Sequence, residues 1–123
     1  LRARPAAQPV SRPDRAEAER RGRRAEAIAA WYLRLKGWRI VGTRVKTKVG
    51  EVDLVARRGK VLAFVEVKSR ATMAQAEISL DRQRLRRVAD AANLLLPRFL
   101  GSADTVRIDA IYVVPGRLPR HLP

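Results

Sequence analysis

Asp53, Glu66 and Lys68 carry the side chains best suited to chemistry in this chain, and their spacing fixes how they can meet. They lie in two runs, Glu51-Val52-Asp53-Leu54-Val55 and Phe64-Val65-Glu66-Val67-Lys68, whose apolar and charged residues read as strands. Between the runs stand Arg58, Gly59 and Lys60. Glycine followed by another residue suits the two-residue type II′ hairpin turn, so Gly59-Lys60 is the loop and Arg58 faces Val61. In that antiparallel register Arg57 faces Leu62, Val55 faces Phe64, Asp53 faces Glu66 and Glu51 faces Lys68. Asp53 and Glu66 then project to one side with their Cβ atoms roughly 5 Å apart. Lys68, two residues beyond Glu66, projects from the same face.

Two opposed carboxylates repel unless a cation sits between them, and removing them from water is costly unless they are paired or metal-bound. Carboxylates that hold a divalent ion against a phosphate, with a lysine that orients or activates water, are equipment for phosphodiester hydrolysis. The alternative is an ion-pair ladder on a solvent-facing hairpin, Glu51 with Lys68 and Glu66 with an arginine. Composition narrows the chemistry further. With no cysteine there are no disulfides, no thiolate catalysis and no cysteine-bound zinc, and the one histidine, His121, sits in a proline-rich tail. Any metal site is therefore built from oxygen ligands, which suits Mg2+ or Mn2+.

The 123 residues suffice for one domain with a core. Lys+Arg 27 against Asp+Glu 12 give a formal net charge of +15, a field that attracts polyanions, and nucleic acid is the expected partner. A membrane surface is disfavoured because the helices are alanine-rich, and no apolar run is long enough to span a bilayer. The absence of cysteine and of a hydrophobic leader gives a cytoplasmic expectation.

The elements that must position the three residues follow from periodicity. Residues 1–14, with Pro5, Pro9 and Pro13 among arginines, read as a disordered basic arm that either touches phosphates or is idle. The ordered domain runs from 15 to 114. A helix from about Arg15 presents Ala25, Ile28, Ala29, Tyr32 and Leu33 on one face and stops at Gly37. Strands follow near Trp38 to Val45, Glu51 to Arg57 and Val61 to Ser69. After a connection over Ala71 to Ser79, a second helix, capped by Ser79 or Asp81, presents Leu85, Val88, Ala89, Ala92, Leu95 and Leu96. Its other face carries Arg82, Arg84, Arg86 and Arg87, which with Arg70 are the candidate nucleic-acid contacts. Thr105 to Val114 is a last strand, and Pro115, Pro119 and Pro123 end the order in a tail over 115–123. The string gives an α/β domain in which the second helix lets the last strand join a mixed sheet.

The blocks Gly50-Glu51-Val52-Asp53-Leu54-Val55-Ala56 and Phe64-Val65-Glu66-Val67-Lys68-Ser69-Arg70 closely resemble the GEIDLIA and FVEVKTR blocks of the YraN family of small, uncharacterised bacterial proteins. That family is similar to the restriction-endonuclease-like superfamily with its PD-(D/E)XK site, nearest in shape to archaeal Holliday-junction resolvases. The resemblance implies a mixed sheet flanked by helices. It makes Asp53 the metal-binding acid, Glu66 the second acid and Lys68 the catalytic lysine, with Glu51 as a supporting acid. Gly22 and Glu26 match a glycine and a glutamate of the first helix, and in resolvases a helix glutamate completes the acidic cluster; an ion pair of Glu26 with Arg23 or Arg24 is the alternative. Arg107-Ile108-Asp109 matches an RFD block, where Asp109 either supports the site or pairs with Arg107. Resolvases act as dimers, so the resemblance also implies a homodimer.

The leading expectation is a divalent-metal nuclease acting on DNA, with branched DNA as the structure-specific candidate. The alternative is a catalytically silent module binding DNA or RNA through its basic helix faces. An RNA-stacking role for Trp31, Tyr32, Trp38 and Tyr112 is disfavoured because the first three fall at positions that read as core.

Overall fold

The computed structural model describes residues 12–70 and 82–123. In chain order its elements are α1 (Arg12–Leu35), β1 (Arg39–Lys46), β2 (Glu51–Arg58), β3 (Val61–Ser69), α2 (Arg82–Phe99), β4 (Thr105–Val113) and β5 (Arg120–Leu122). The strands form one five-stranded sheet in the order β1-β2-β3-β4-β5. All neighbours are antiparallel except β3 and β4, which are parallel because α2 carries the chain back between them. The mixed α/β sheet flanked by helices is thus the observed architecture. The expected arm over 1–14 lies outside the described residues up to 11, and α1 starts at Arg12, earlier than periodicity suggested. The connection over 71–79 and the caps Ser79 and Asp81 also lie outside them.

Each helix covers one face of the sheet. Ala25, Ala29, Ala30 and Leu33 of α1 pack on Leu54, Ala63, Val65 and Ile111, and the small alanines let the helix approach closely. Ala91, Ala92 and Leu95 of α2 pack on Val52, Val55, Leu62 and Phe64 of the other face. Gly37 ends α1 at φ 90°, and the Trp38 N–H donates to Leu33 O at 2.9 Å while the Gly37 N–H donates to Arg34 O, a Schellman arrangement that turns the chain directly into β1. The α2 helix runs through Pro97 to Phe99. A proline in the last turn removes one intrahelical donor but leaves the Leu100 N–H to close on Leu96 O at 2.8 Å.

The tail departs from its reading as the end of order. Gly116, at φ 75°, helps turn the chain back so that Arg120, His121 and Leu122 pair with Tyr112, Ile111 and Ala110. Pro119 and Pro123 flank this edge strand instead of interrupting it. The added strand brings the chain's one histidine under the sheet, where His121 Nε2 lies 2.6 Å from Asp109 Oδ2 and Nδ1 lies 2.8 Å from Lys36 Nζ. Asp109 also accepts from Arg107 at 2.7 and 3.2 Å. Burial raises the Asp109 pKa, but the hydrogen bonds from His121 and Arg107 outweigh it and hold the carboxyl below its ordinary value. Trp38 is buried as anticipated, whereas Trp31 is 53% exposed on the outer side of α1, contrary to its reading as core.

The Asp109 cluster pins β5 and the end of α1 to β4, so its loss should be felt in stability. Asp109→Ala is expected to lower the unfolding free energy in urea by about 1–3 kcal/mol, the range for leaving buried polar partners unsatisfied.

Candidate active site

The β2–β3 register matches the hairpin derivation from Arg58↔Val61 through Arg57↔Leu62 and Val55↔Phe64 to Leu54↔Val65. Gly59 adopts φ 60° and Lys60 does not, as a type II′ turn demands. The ladder then stops. The expected backbone pairings of Asp53 with Glu66 and Glu51 with Lys68 are not part of it, because β2 continues only against β1, with Glu51 opposite Lys46, while β3 continues against β4 to Ser69. Asp53 bridges this fork with its side chain: its Oδ2 accepts the Val67 N–H at 2.8 Å, taking the place of a strand carbonyl.

The fork is where the three residues converge. Glu66 and Lys68 are 3% and 2% exposed on the α2 face of β3, and the Lys68 Nζ lies 3.3 Å from Glu66 Oε1. Arg84, reaching down from α2, donates from Nε to the same oxygen at 2.8 Å. Asp53 and Glu66 line the same cleft, near enough for the charge of Glu66 to act on Asp53. Burial first, then the charge of Glu66, push the Asp53 carboxyl up to about 7, against the Val67 N–H, which favours the charged form. Burial also lowers the Lys68 ammonium from its ordinary value, with Arg84 and Arg70 adding to the effect and Glu66 opposing it. The Lys68 Nζ is buried and makes no hydrogen bond to the described residues, although an ammonium has three donors to place.

Gly50, Glu51, Asp53 and Glu66 form one wall of a cleft of about 470 Å³, and Gln83, Arg84, Arg87 and Val88 of α2 form the other. The cleft thus gathers Asp53, Glu66 and Glu51 with two of the arginines singled out in the sequence. Arg70 lies on the far side of Lys68, lining a second cleft. Arg86 is exposed on α2 and lines neither, and the side chain of Arg82 lies outside the described residues. Asp109 is not brought to the site. It stands beside Val65 in the β3–β4 register, so it faces the α1 side with Ile111 and Val113 while Glu66 and Lys68 face α2.

Glu26 is adjacent but engaged. Its carboxylate accepts from Arg44 Nε at 2.7 Å and Nη2 at 3.3 Å, a two-pronged pair with a residue other than the anticipated Arg23 or Arg24. Its charge still helps to raise the Asp53 pKa. Arg44 was not singled out by the sequence reading. It falls opposite Asp53 in the β1–β2 hairpin, between the pairs Thr43↔Leu54 and Val45↔Val52, and adopts φ 49°, a strained backbone for a non-glycine residue. The attraction of Glu26, Glu51 and Asp53 raises its guanidinium pKa, with the Glu26 hydrogen bond the largest influence and burial opposing it.

These donors suit a hard divalent ion. Two carboxylates line one cleft, and a cation between them would relieve the repulsion that, after burial, raises the Asp53 pKa. Among the described residues no group of three such ligands is assembled, so Asp53 and Glu66 would be the protein's contribution and water or phosphate oxygens the rest, the usual habit of Mg2+.

Comparison with known proteins gives the family of the chain. Residues 25–113 match the model of the uncharacterised protein family UPF0102. A UPF0102 protein of Sphingopyxis alaskensis is 60% identical over 108 residues, covering 88% of this chain and 93% of its own. One from Rhizorhabdus wittichii is 61% identical over 108 residues, covering 88% and 92%. One from Bartonella bacilliformis is 48% identical over 114 residues, covering 92% and 93%. The chain belongs to UPF0102, an uncharacterised family as the sequence blocks implied. No helix among the described residues is long and apolar enough to cross a membrane.

The raised Asp53 pKa has a measurable consequence in metal-free protein. Folded Asp53 holds its proton more tightly than unfolded aspartate, whose pKa is about 4. The stabilisation is therefore complete below pH 4 and disappears as the pH rises to about 7. In the presence of chelator the parent Tm should fall over that window relative to Asp53→Asn, which cannot titrate, and parallel curves for the two proteins would refute the assignment.

Proposed function

We propose that this member of UPF0102 is a divalent-metal-dependent nuclease that hydrolyses phosphodiesters in DNA, with branched DNA as the structure-specific substrate. The observation that carries the reading is the convergence at the fork of β2 and β3. Asp53 and Glu66 meet there, with the buried Lys68 3.3 Å from Glu66 and arginines of α2 on the facing wall. The resemblance of the two sequence blocks to PD-(D/E)XK sites of restriction-endonuclease-like proteins points to the same chemistry, and the observed mixed sheet accommodates it.

A divalent ion held by Asp53 and Glu66 supplies stabilisation of the charge that builds on the phosphate. Lys68, with an ammonium that makes no hydrogen bond to the described residues and a lowered pKa, orients the attacking water. Water adds to phosphorus and releases a proton to solvent as the P–O bond to the leaving strand breaks, and the departing oxygen takes up a proton from solvent. Arg84 and Arg87 hold the phosphate from the facing wall. For Arg84 this means exchanging a carboxylate for a phosphate oxygen, which its guanidinium accepts equally well. Glu51 and Glu26 surround the centre as further negative charge. The fullest form of the proposal is a cytoplasmic homodimer that engages two arms of a junction.

One observation favours a second reading. Arg84 on Glu66 and Arg44 on Glu26 neutralise carboxylates without a metal, as a silent nucleic-acid-binding protein would require. Cleavage separates the two. A panel of linear, flapped and four-way DNA and RNA substrates should be cut with Mg2+ or Mn2+ and spared with chelator. Asp53→Ala, Glu66→Ala and Lys68→Ala should each reduce turnover by about 10²–10⁴-fold while affinity is unchanged or, for the acids, raised. An inert parent with no manganese binding in calorimetry would establish the silent module.

Either reading expects phosphate contacts to dominate affinity. Log affinity should fall linearly with log salt, with a slope proportional to the phosphates neutralised; a flat salt titration would contradict nucleic-acid binding altogether.

A further inference from the structure

The cleft on the other side of Lys68 is chemically unlike the acidic one. It has a volume of about 660 Å³ and lies between α1 and the end of β3, with Arg21, Gly22, Lys68, Arg70 and Arg84 among its lining residues. No carboxylate lines it among the described residues, whereas Glu51, Asp53 and Glu66 line its neighbour. Arg84 belongs to both walls, so the two clefts meet across the Glu66–Lys68 pair. We propose that this cationic cleft is a phosphate subsite, which holds the nucleic-acid backbone next to the bond lying over Asp53 and Glu66.

Two further observations bear on the cleft. Lys68, 2% exposed, backs it with a buried ammonium whose paired carboxylate, Glu66, lines the neighbouring cleft and not this one. Gly22 sits inside α1, where glycine weakens a helix. A Cβ at that position would meet none of the described residues within 4 Å, so no contact among them requires the glycine. What its absent side chain does is leave open space on the cleft wall, which a larger residue at this position of α1 would take up.

The cleft also continues. An adjoining one of about 320 Å³ shares Arg21, Ser69 and Pro115 with it and adds Arg24 and Arg117. Successive cationic clefts with shared walls suit a polyanion with regularly spaced phosphates better than a single small anion. The identification of the ligand as nucleic acid rests on the nuclease reading; the anion specificity of the cleft does not.

The test is oligonucleotide binding by fluorescence anisotropy in chelator, where no cleavage can occur. Arg21→Ala and Gly22→Leu should each weaken a single-stranded oligonucleotide about tenfold, the scale of a lost charge-assisted contact. Gly22→Leu should keep or raise the Tm, which excludes unfolding as the cause. Arg20→Ala removes the same charge from an exposed position of α1 outside the cleft and should weaken binding less than twofold. Inorganic phosphate should displace the oligonucleotide and an uncharged nucleoside should not. Equal effects of Arg20→Ala and Arg21→Ala, an inert Gly22→Leu, or displacement by the nucleoside alone would overturn the subsite. Binding that depends on Arg21 and Gly22 in a protein that cleaves nothing would uphold the subsite and sink the nuclease reading. Cleavage that survives both substitutions unchanged would do the reverse.

Discussion

The central strand carries a carboxylate and an ammonium, Glu66 and Lys68, into the interior of the sheet, and much of the surrounding structure answers the energetic penalty of that burial. Taking one ion out of water costs several kcal/mol even after relaxation. Coulombic attraction at 3.3 Å offsets part of it, and Arg84 on Glu66 offsets more. Asp53 stands beside this group, and burial first and the charge of Glu66 second push its pKa up to about 7. The fork between β2 and β3 has the same origin. Asp53 reaches across to the Val67 N–H only because the backbone ladder has already ended at Leu54↔Val65, and that opening gives solvent and substrate access to groups that a continued ladder would enclose.

The sheet separates two charge clusters by its pleat. Residues pointing to α2 include Glu66 and Lys68 beside a cleft, and residues pointing to α1 include Asp109 among Arg107, His121 and Trp38. Asp109 is satisfied from two sides, and its pKa is lowered, the signature of a carboxylate whose partners were built around it. Asp53 is the opposite case, a carboxylate whose surroundings resist its charge. Two acids of one small sheet therefore differ in kind: buried Asp109 closes the fold by tying β5 to β4, and half-buried Asp53 carries a raised pKa.

Which features were legible in the sequence follows from how local their causes are. The hairpin register could be read because a glycine in a two-residue loop leaves one pairing, and the period of two then propagates that pairing along both strands. The end of the ladder could not be read, since it depends on β3 choosing β4 as its partner beyond Val65, a choice made through α2 and forty residues of chain. Arg84 as the partner of Glu66 is invisible for the same reason. Arg44 leaves a faint trace: it falls opposite Asp53 once β1 is paired with β2, but nothing local announces its positive φ. β5 was hidden by its prolines, which mark a tail when counted and an edge strand only when their places beside the turn at Gly116 are known. Trp31 falls at a helix position that reads as core, but the alanines of α1 let the sheet come close on the adjacent face and leave the tryptophan exposed.

The remaining question is why a fold of this size keeps charges at all on its most buried strand. The neighbours Leu62, Ala63, Phe64, Val65 and Val67 show that β3 has the composition of an ordinary core strand, and apolar residues at positions 66 and 68 would continue it without a desolvation penalty. Replacing buried ion pairs by well-packed apolar residues is often neutral or stabilising, so stability gives little reason for their presence. A ladder kept only for strand registry would also be expected to satisfy its own donors, yet the Lys68 Nζ is buried and makes no hydrogen bond to the described residues. Its partner Glu66 holds Arg84, a half-exposed side chain, on the oxygen nearest the lysine. A carboxylate kept partly protonated, a buried ammonium and an arginine that lines two clefts form the arrangement on which the proposed nuclease reading rests. Folding alone would not select it.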